Sequence, residues 1–126
     1  MRVKIEVTIA ATRIADLLEV AVRGYWVDEI TPRFGKGAAH DDDYMLADYS
    51  GWVVAALTPH SEAVIEVPCN DGGGFDLYCL DRDKIAVGLT LLSRTQHWQD
   101  FMEGNEDGTT GDVFMQLCLF GEVVFG

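Results

Sequence analysis

The residues best suited to chemistry lie in three short segments, each of which matches a functional motif only in part. HDDD (40–43) places an imidazole beside three carboxylates, which could bind a metal ion or supply a general base. Neighbouring loop residues seldom converge on one ion, and NEDGTTGD (105–112) lacks the acidic spacing of a calcium loop. FGKGAAH (34–40) lacks the GxxxxGK[ST] pattern of a phosphate-binding loop. The sequence therefore predicts no metal site, no cofactor and no catalytic residue.

A nucleotide pocket is a second possibility, because aromatic and basic residues occur together early in the chain. Six of the nine basic residues fall within positions 1–40. In such a pocket, aromatic rings would stack on a base and basic side chains would bind phosphate. The candidate residues are Arg13, Arg23, Tyr25, Trp26, Arg33, Phe34 and Lys36.

The composition is that of one globular domain over residues 1–126. The chain is 48% hydrophobic, and no apolar run reaches the ~18 residues that a membrane span needs. The first residues, MRVKIEVTIAATR, contain no continuous apolar stretch typical of a signal peptide. Cys69, Cys79 and Cys118 have no CxxC spacing, which favours reduced thiols and a cytoplasmic location over a disulfide scaffold or a zinc site.

The net charge of −12 is concentrated in the second part of the chain. Residues 41–126 contain sixteen acidic residues and three basic ones. This charge argues against direct nucleic-acid binding, which needs a basic surface. It serves either solubility or the attraction of a basic partner. For the second role the candidate acidic face consists of Asp41, Asp42, Asp43, Asp48, Glu103, Glu106 and Asp107.

Hydrophobic periodicity predicts an α+β fold. Alternation over residues 2–9 indicates a strand, and apolar residues from Ile14 to Tyr25 recur with helical spacing. Further strands are predicted in YWVDEIT, ended by Pro32, in GWVVAAL (51–57), and in AVIEV and FDLYCL, which form a hairpin around PCNDGGG. Asp81 is expected to cap a helix over 82–102, and residues 103–112 read as a polar linker. We therefore expect an antiparallel sheet of about four to six short strands and two to three helices.

The final segment, DVFMQLCLFGEVVFG, is unusually apolar for the end of a chain. We expect a helix capped by Asp112 and ended by Gly121, followed by a short closing strand, EVVF, at a sheet edge. A free sheet edge invites pairing with a second copy. The sequence thus predicts a homodimer or higher homo-oligomer, with an interface of Phe114, Leu117, Phe120, Val124 and Phe125.

Several of these segments resemble a family of small phage and prophage proteins. The shared features are GYW (24–26) after the first helix, a GG hairpin at Gly73 and Gly74, a helix containing Gly88, and a closing QxxLFGExVxG from Gln116 to Gly126. They cover about two-thirds of the chain, and residues 32–60 match poorly. The resemblance itself implies no activity. Small size, acidity and phage association are, however, similar to those of counter-defence proteins, which block host immunity by stoichiometric binding.

Three functions follow as hypotheses from the sequence. The first is a non-enzymatic phage or prophage counter-defence protein, anti-CRISPR-like or otherwise anti-immune. It would bind a bacterial defence protein through its acidic surface in the cytoplasm of the infected or lysogenic host. The second is a protein that sequesters a nucleotide immune signal in the pocket described above. The third is an uncharacterised small enzyme.

Overall fold

The structure is a computed structural model, and it describes residues 8–21, 26–36, 46–69 and 72–126. Within these residues, five helices and one three-stranded antiparallel sheet form a small domain. Its α+β class is as predicted, but five helices are present instead of the predicted two to three. The predicted four to six strands are not confirmed, since three are present there. The strand expected over residues 2–9 lies almost entirely outside the described residues.

The sheet has the order β1-β2-β3, with β1 at Ile30–Arg33, β2 at Glu62–Pro68 and β3 at Phe75–Leu80. The predicted hairpin is confirmed, and its register runs from Ala63 opposite Leu80 to Pro68 opposite Phe75. The helices are α1 (Ala11–Ala21), α2 (Gly51–Leu57), α3 (Arg82–Leu92), α4 (His97–Met102) and α5 (Gly108–Phe120).

The GWVVAAL segment forms α2, so the predicted strand is wrong. Trp52, Val53, Ala55 and Ala56 are buried at a helical spacing, and α2 packs on β1, β2 and α1. Apolar residues at nearly every position satisfy either structure, and the neighbouring elements decide between them. The helix ends at Leu57, and Thr58 is extended because Pro59 disfavours the helical conformation in the residue before it.

The helix expected over residues 82–102 is divided into α3 and α4. Asp81 caps α3 as predicted, its carboxylate accepting a hydrogen bond from the Lys84 N–H at 3.0 Å. Hydroxyl groups then interrupt the helix: Ser93 donates to the Thr90 carbonyl at 2.6 Å, and Thr95 donates to the Leu92 carbonyl at 2.8 Å. Such bonds compete with the helical backbone pattern.

Helix α5 starts earlier than predicted and forms the centre of the core. Asp107, rather than Asp112, is its N-cap and accepts from the Thr110 N–H at 3.0 Å, so the predicted linker over 103–112 is wrong in its second half. Two glycines allow close packing against other helices. A Cβ at Gly111 would lie 2.8 Å from the Ala21 nitrogen and 3.0 Å from the Leu17 oxygen on α1, and Gly88 of α3 packs on Cys118.

The apolar tail folds back on α5 without forming the predicted strand. Gly121 ends the helix with a φ of 75° and reverses the chain. The buried side chain of Gln116 then accepts from the N–H groups of Val124 and Phe125, both at 2.7 Å, and donates to the Phe125 carbonyl at 3.1 Å. One glutamine amide thus takes the place of a neighbouring strand.

Aromatic rings cover the other side of the tail. Phe125 stacks on Trp26 at 5.5 Å between centroids, and Phe120 packs on Trp26 and edge-on against Tyr78 at 4.9 Å. Trp26 donates from its indole N–H to Asp112, whose second carboxylate oxygen accepts from Gln116 at 2.9 Å. Phe120 and Phe125 are therefore partly buried by residues of the same chain, whereas Val123 and Val124 remain 51% and 53% exposed.

We predict that Gly111→Ala lowers the free energy of unfolding by about 1–3 kcal/mol, because the new methyl group meets α1 backbone atoms. Gly108→Ala is the matched control on the same helix, since a Cβ there has its nearest neighbour at 3.9 Å. It should be neutral or slightly stabilising through better helix propensity. Urea unfolding followed by tryptophan fluorescence measures both, and equal effects would contradict the packing argument.

We also predict that Gln116→Met destabilises the protein by about 1–3 kcal/mol, because two backbone N–H groups lose their acceptor. The tail should become accessible to carboxypeptidase. Gln99→Met is the control, since Gln99 is exposed and donates only to Glu103 within the described residues. A tail that stays as resistant to digestion as in the wild-type protein would refute the role given to Gln116.

Candidate functional site

An open acidic cleft of about 540 Å³ lies where three segments of the chain meet. Helix α1 contributes Arg13, Asp16 and Glu19, which follow one another at intervals of three residues along its polar side. The loop before α2 contributes residues 48–50, and the loop before α5 contributes Gly104 and Glu106. Four carboxylates thus surround one guanidinium group, and the cleft has three negative charges in excess.

Hydrogen bonds from the loop before α2 fix the orientation of two of these carboxylates. The Tyr49 hydroxyl donates to Asp16 at 2.5 Å, which with partial burial raises the pKa of Tyr49 to about 12. Ser50 donates to Glu19 through its N–H at 2.5 Å and through its hydroxyl at 3.0 Å. Both carboxylates are therefore held in place, and Asp16 also lies 3.8 Å from the Arg13 guanidinium.

Arg13 and Glu106 form the strongest interaction of the cleft. The guanidinium donates to both Glu106 oxygens, at 2.6 and 3.1 Å, and also to the Phe101 carbonyl. It lies 4.9 Å from the centroid of the Phe101 ring. The hydrogen bond from Arg13 lowers the pKa of Glu106, whose side chain is 7% exposed. This pair fastens the loop before α5 to α1 and forms one wall of the cleft.

The cleft joins part of the predicted acidic face to residues that the sequence did not single out. Asp48 and Glu106 line it, whereas Glu103 and Asp107 lie on the surface nearby in sequence, at the end of α4 and at the cap of α5. Asp41, Asp42 and Asp43 lie outside the described residues. Asp16 and Glu19 were missed, although their spacing from Arg13 on an amphipathic helix could have indicated them.

The described residues of the predicted nucleotide pocket contact different neighbours. Arg13 pairs with Glu106, Arg33 with Glu62 across β1 and β2, and Trp26 is buried in the aromatic cluster of the tail. Phe34 and Lys36 follow β1 and are exposed. Arg23 and Tyr25 lie outside the described residues. The structure therefore gives the described members separate surroundings, and the pocket stays a prediction.

The predicted interface residues divide into buried and accessible groups. Phe114 and Leu117 belong to the core of the single chain, so they are unavailable to a second copy. Phe120 and Phe125 are half-buried in the aromatic cluster, and Val124 is 53% exposed. The closing strand that motivated this interface is absent from residues 121–126. The sheet-edge argument for a dimer through these residues therefore no longer applies.

A more polar pocket of about 700 Å³ lies between the start of β2 and the start of α3. Its groups already have local partners. Asp81 caps α3, Glu62 pairs with Arg33, and Ser61 accepts from the Gly35 N–H at 3.0 Å. His60 has a positive φ of 63°, which follows from the tight turn after Pro59. This pocket offers neither a paired nucleophile and base nor a metal-binding set among the described residues.

Comparisons of the sequence and structure with protein-family models, curated proteins and solved structures gave no match. The resemblance to small phage proteins therefore stays a prediction. None of the helices in the part of the chain that the structure describes is long and apolar enough to cross a membrane.

Acid should remove the contribution of Glu106 to stability. Because its pKa is lowered by folding, this contribution is complete above the ordinary carboxyl pKa and is lost as pH falls through the lowered value. We predict that Glu106→Gln destabilises the protein by about 1–3 kcal/mol at pH 7 and by much less near pH 3. Glu103→Gln is the control on an exposed site. A difference from wild type that is constant with pH would contradict this account.

Proposed function

We propose that this protein acts without catalysis, by binding a basic surface of a partner protein in its acidic cleft. The observation that carries the proposal is the convergence of Asp16, Glu19, Asp48 and Glu106 from three separate segments. Two of these carboxylates are oriented by Tyr49 and Ser50, so they need little rearrangement to accept hydrogen bonds from arginine or lysine.

The charge distribution supports the same proposal. A net charge of −12 attracts a basic partner over a distance of about one Debye length and raises the rate of association. Complementary charge also excludes competing phosphate groups from the same surface. A protein that normally binds nucleic acid has such a surface, so an acidic competitor could inhibit it stoichiometrically.

We further propose that the partner is a component of bacterial defence and that binding occurs in the cytoplasm of the infected host. Small size, acidity and the resemblance to phage proteins support this assignment. No disulfide joins Cys69, Cys79 and Cys118, which is compatible with a reducing compartment. The nucleotide-sequestering alternative receives no specific support, because the two described arginines of that pocket are paired with carboxylates.

Asp48 gives the sharpest test, because it is exposed and makes no hydrogen bond or ion pair within the described residues. We predict that Asp48→Lys weakens binding to a partner captured from a defence-positive bacterium by about tenfold, or about 1.4 kcal/mol. Asp28→Lys makes the same charge change at an exposed position outside the cleft and should have a smaller effect. Mass spectrometry identifies the captured molecule, and titration at increasing salt measures its affinity.

Three results would contradict the proposal. Equal weakening by Asp48→Lys and Asp28→Lys would show that only net charge matters. Binding that is insensitive to salt would exclude an electrostatic interface. Recovery of a nucleotide rather than a protein would favour the sequestration alternative.

A further inference from the structure

The two edges of the sheet differ in how well they are protected from pairing with another strand. Edge strands are commonly protected by short length, proline, charge or a covering helix. Strand β1 has four residues, includes Pro32 and Arg33, and packs against α2. Strand β3 (FDLYCL) has six residues, no proline and one charged residue, Asp76. Only the β3 edge therefore retains the properties of a pairing surface among the described strands.

Backbone hydrogen bonds show which groups of β3 face outward. Glu66 of β2 exchanges hydrogen bonds with Asp28 and Glu29, on the β1 side. Because directions alternate along a strand, Ile65 and Val67 face β3, opposite Tyr78 and Asp76. Phe75, Leu77 and Cys79 therefore direct their N–H and carbonyl groups away from β2. Outside the helices and the sheet itself, none of the backbone hydrogen bonds in the described part of the chain involves these three residues.

The side chains of the same three residues project from the sheet face that is opposite the core. Their neighbours Tyr78 and Leu80 point toward the core, where Leu80 is fully buried and Tyr78 contacts Phe120. Phe75 is 53% exposed and Leu77 is 62% exposed. An edge with free backbone groups and an adjoining apolar face can gain both hydrogen bonds and buried area on pairing.

We propose that β3 pairs with β3 of a second copy, in antiparallel orientation about a twofold axis through Leu77, to form a continuous six-stranded sheet. Leu77 then lies opposite Leu77 of the partner subunit, and Phe75 lies opposite the partner's Cys79. The exposed apolar side chains form one row across the junction. Asp76 lies opposite the partner's Tyr78, which is neutral. The pairing is closed, so it gives a dimer rather than a fibre.

The two neighbouring registers are less favourable because each places an aspartate in an unsuitable position opposite the partner strand. A shift toward the start of β3 places Asp76 directly opposite Asp76 of the partner subunit, and like charges in that position repel. A shift toward the end places Phe75 opposite the partner's Asp81, which caps α3. The register through Leu77 is therefore the one that pairs all three outward-facing residues of one copy with those of the other and places no like charges opposite each other.

The dependence on salt concentration distinguishes this dimer from partner binding in the acidic cleft. Two copies with a net charge of −12 repel each other, while the paired edges contribute only Asp76 from each strand. Added salt screens that repulsion, so it should strengthen the dimer, whereas it should weaken binding in the acidic cleft. Either proposal can therefore fail without the other.

Sedimentation velocity of the full chain from about 5 to 200 µM, in 50 and 500 mM NaCl, provides the first test. We expect a concentration-dependent dimer that is favoured by the higher salt. Leu77→Lys should be monomeric throughout this range. Val87→Lys is the matched control, because Val87 of α3 is similarly exposed, at 55%, and should leave the dimer unchanged. A wild-type monomer at 200 µM, or a Leu77→Lys variant that dimerises normally, would overturn the proposal.

Cross-linking tests the register directly. In a Cys69→Ser, Cys79→Ser background, oxidation of Leu77→Cys should give a disulfide-linked dimer, because directly opposite hydrogen-bonded residues lie about 5.5 Å apart between Cα atoms. Asp76→Cys is the control, since it lies opposite Tyr78 rather than its own copy and should cross-link much less. Preferential cross-linking of Asp76→Cys, or none with Leu77→Cys, would overturn the register.

Discussion

The structure depends on the close approach of α5 to the helices on either side of it. Gly111 of α5 allows the backbone of α1 to approach closely. On the other side of α5, Gly88 allows α3 to pack against Cys118. Larger residues at these positions would separate the helices and open the core, since protein interiors tolerate little change of volume. Burial also raises the pKa of the Cys118 thiol, so this residue acts as a small apolar group in the packing.

The central position of α5 explains both ends of the domain. At its start, the preceding loop is drawn against α1, where Glu106 meets Arg13 and completes the wall of the acidic cleft. At its end, Gly121 turns the chain so that Gln116, in the same helix, can bind the tail. One helix therefore positions the polar candidate site and binds the backbone of the apolar tail.

Several of the acidic residues have hydrogen-bond or ion-pair partners within the fold. Asp81 and Asp107 are helix N-caps, and the carboxylate of each accepts a hydrogen bond from a backbone N–H group of its helix. Glu62 and Glu106 have arginine partners, which lower the pKa of each carboxyl. Asp112 accepts two hydrogen bonds, one from the Trp26 indole N–H and one from the Gln116 amide. The carboxylates of the cleft that lack an arginine partner of this kind remain available to an external cation.

The sequence by itself determined the class of fold and the elements whose signals are local. The hairpin follows from alternating strands around three glycines, each of which has a positive φ in the structure. The caps at Asp81 and Gly121 follow from residue type and position alone. The tertiary structure decided the rest. Residues 51–57 suit a helix or a strand, and only packing selects the helix. The cleft joins Asp16, Asp48 and Glu106, which are far apart in sequence, so no local pattern records their contact. The apolar tail predicted a closing strand at a sheet edge, but its backbone instead binds the amide of Gln116, which it reaches only because Gly121 reverses the chain.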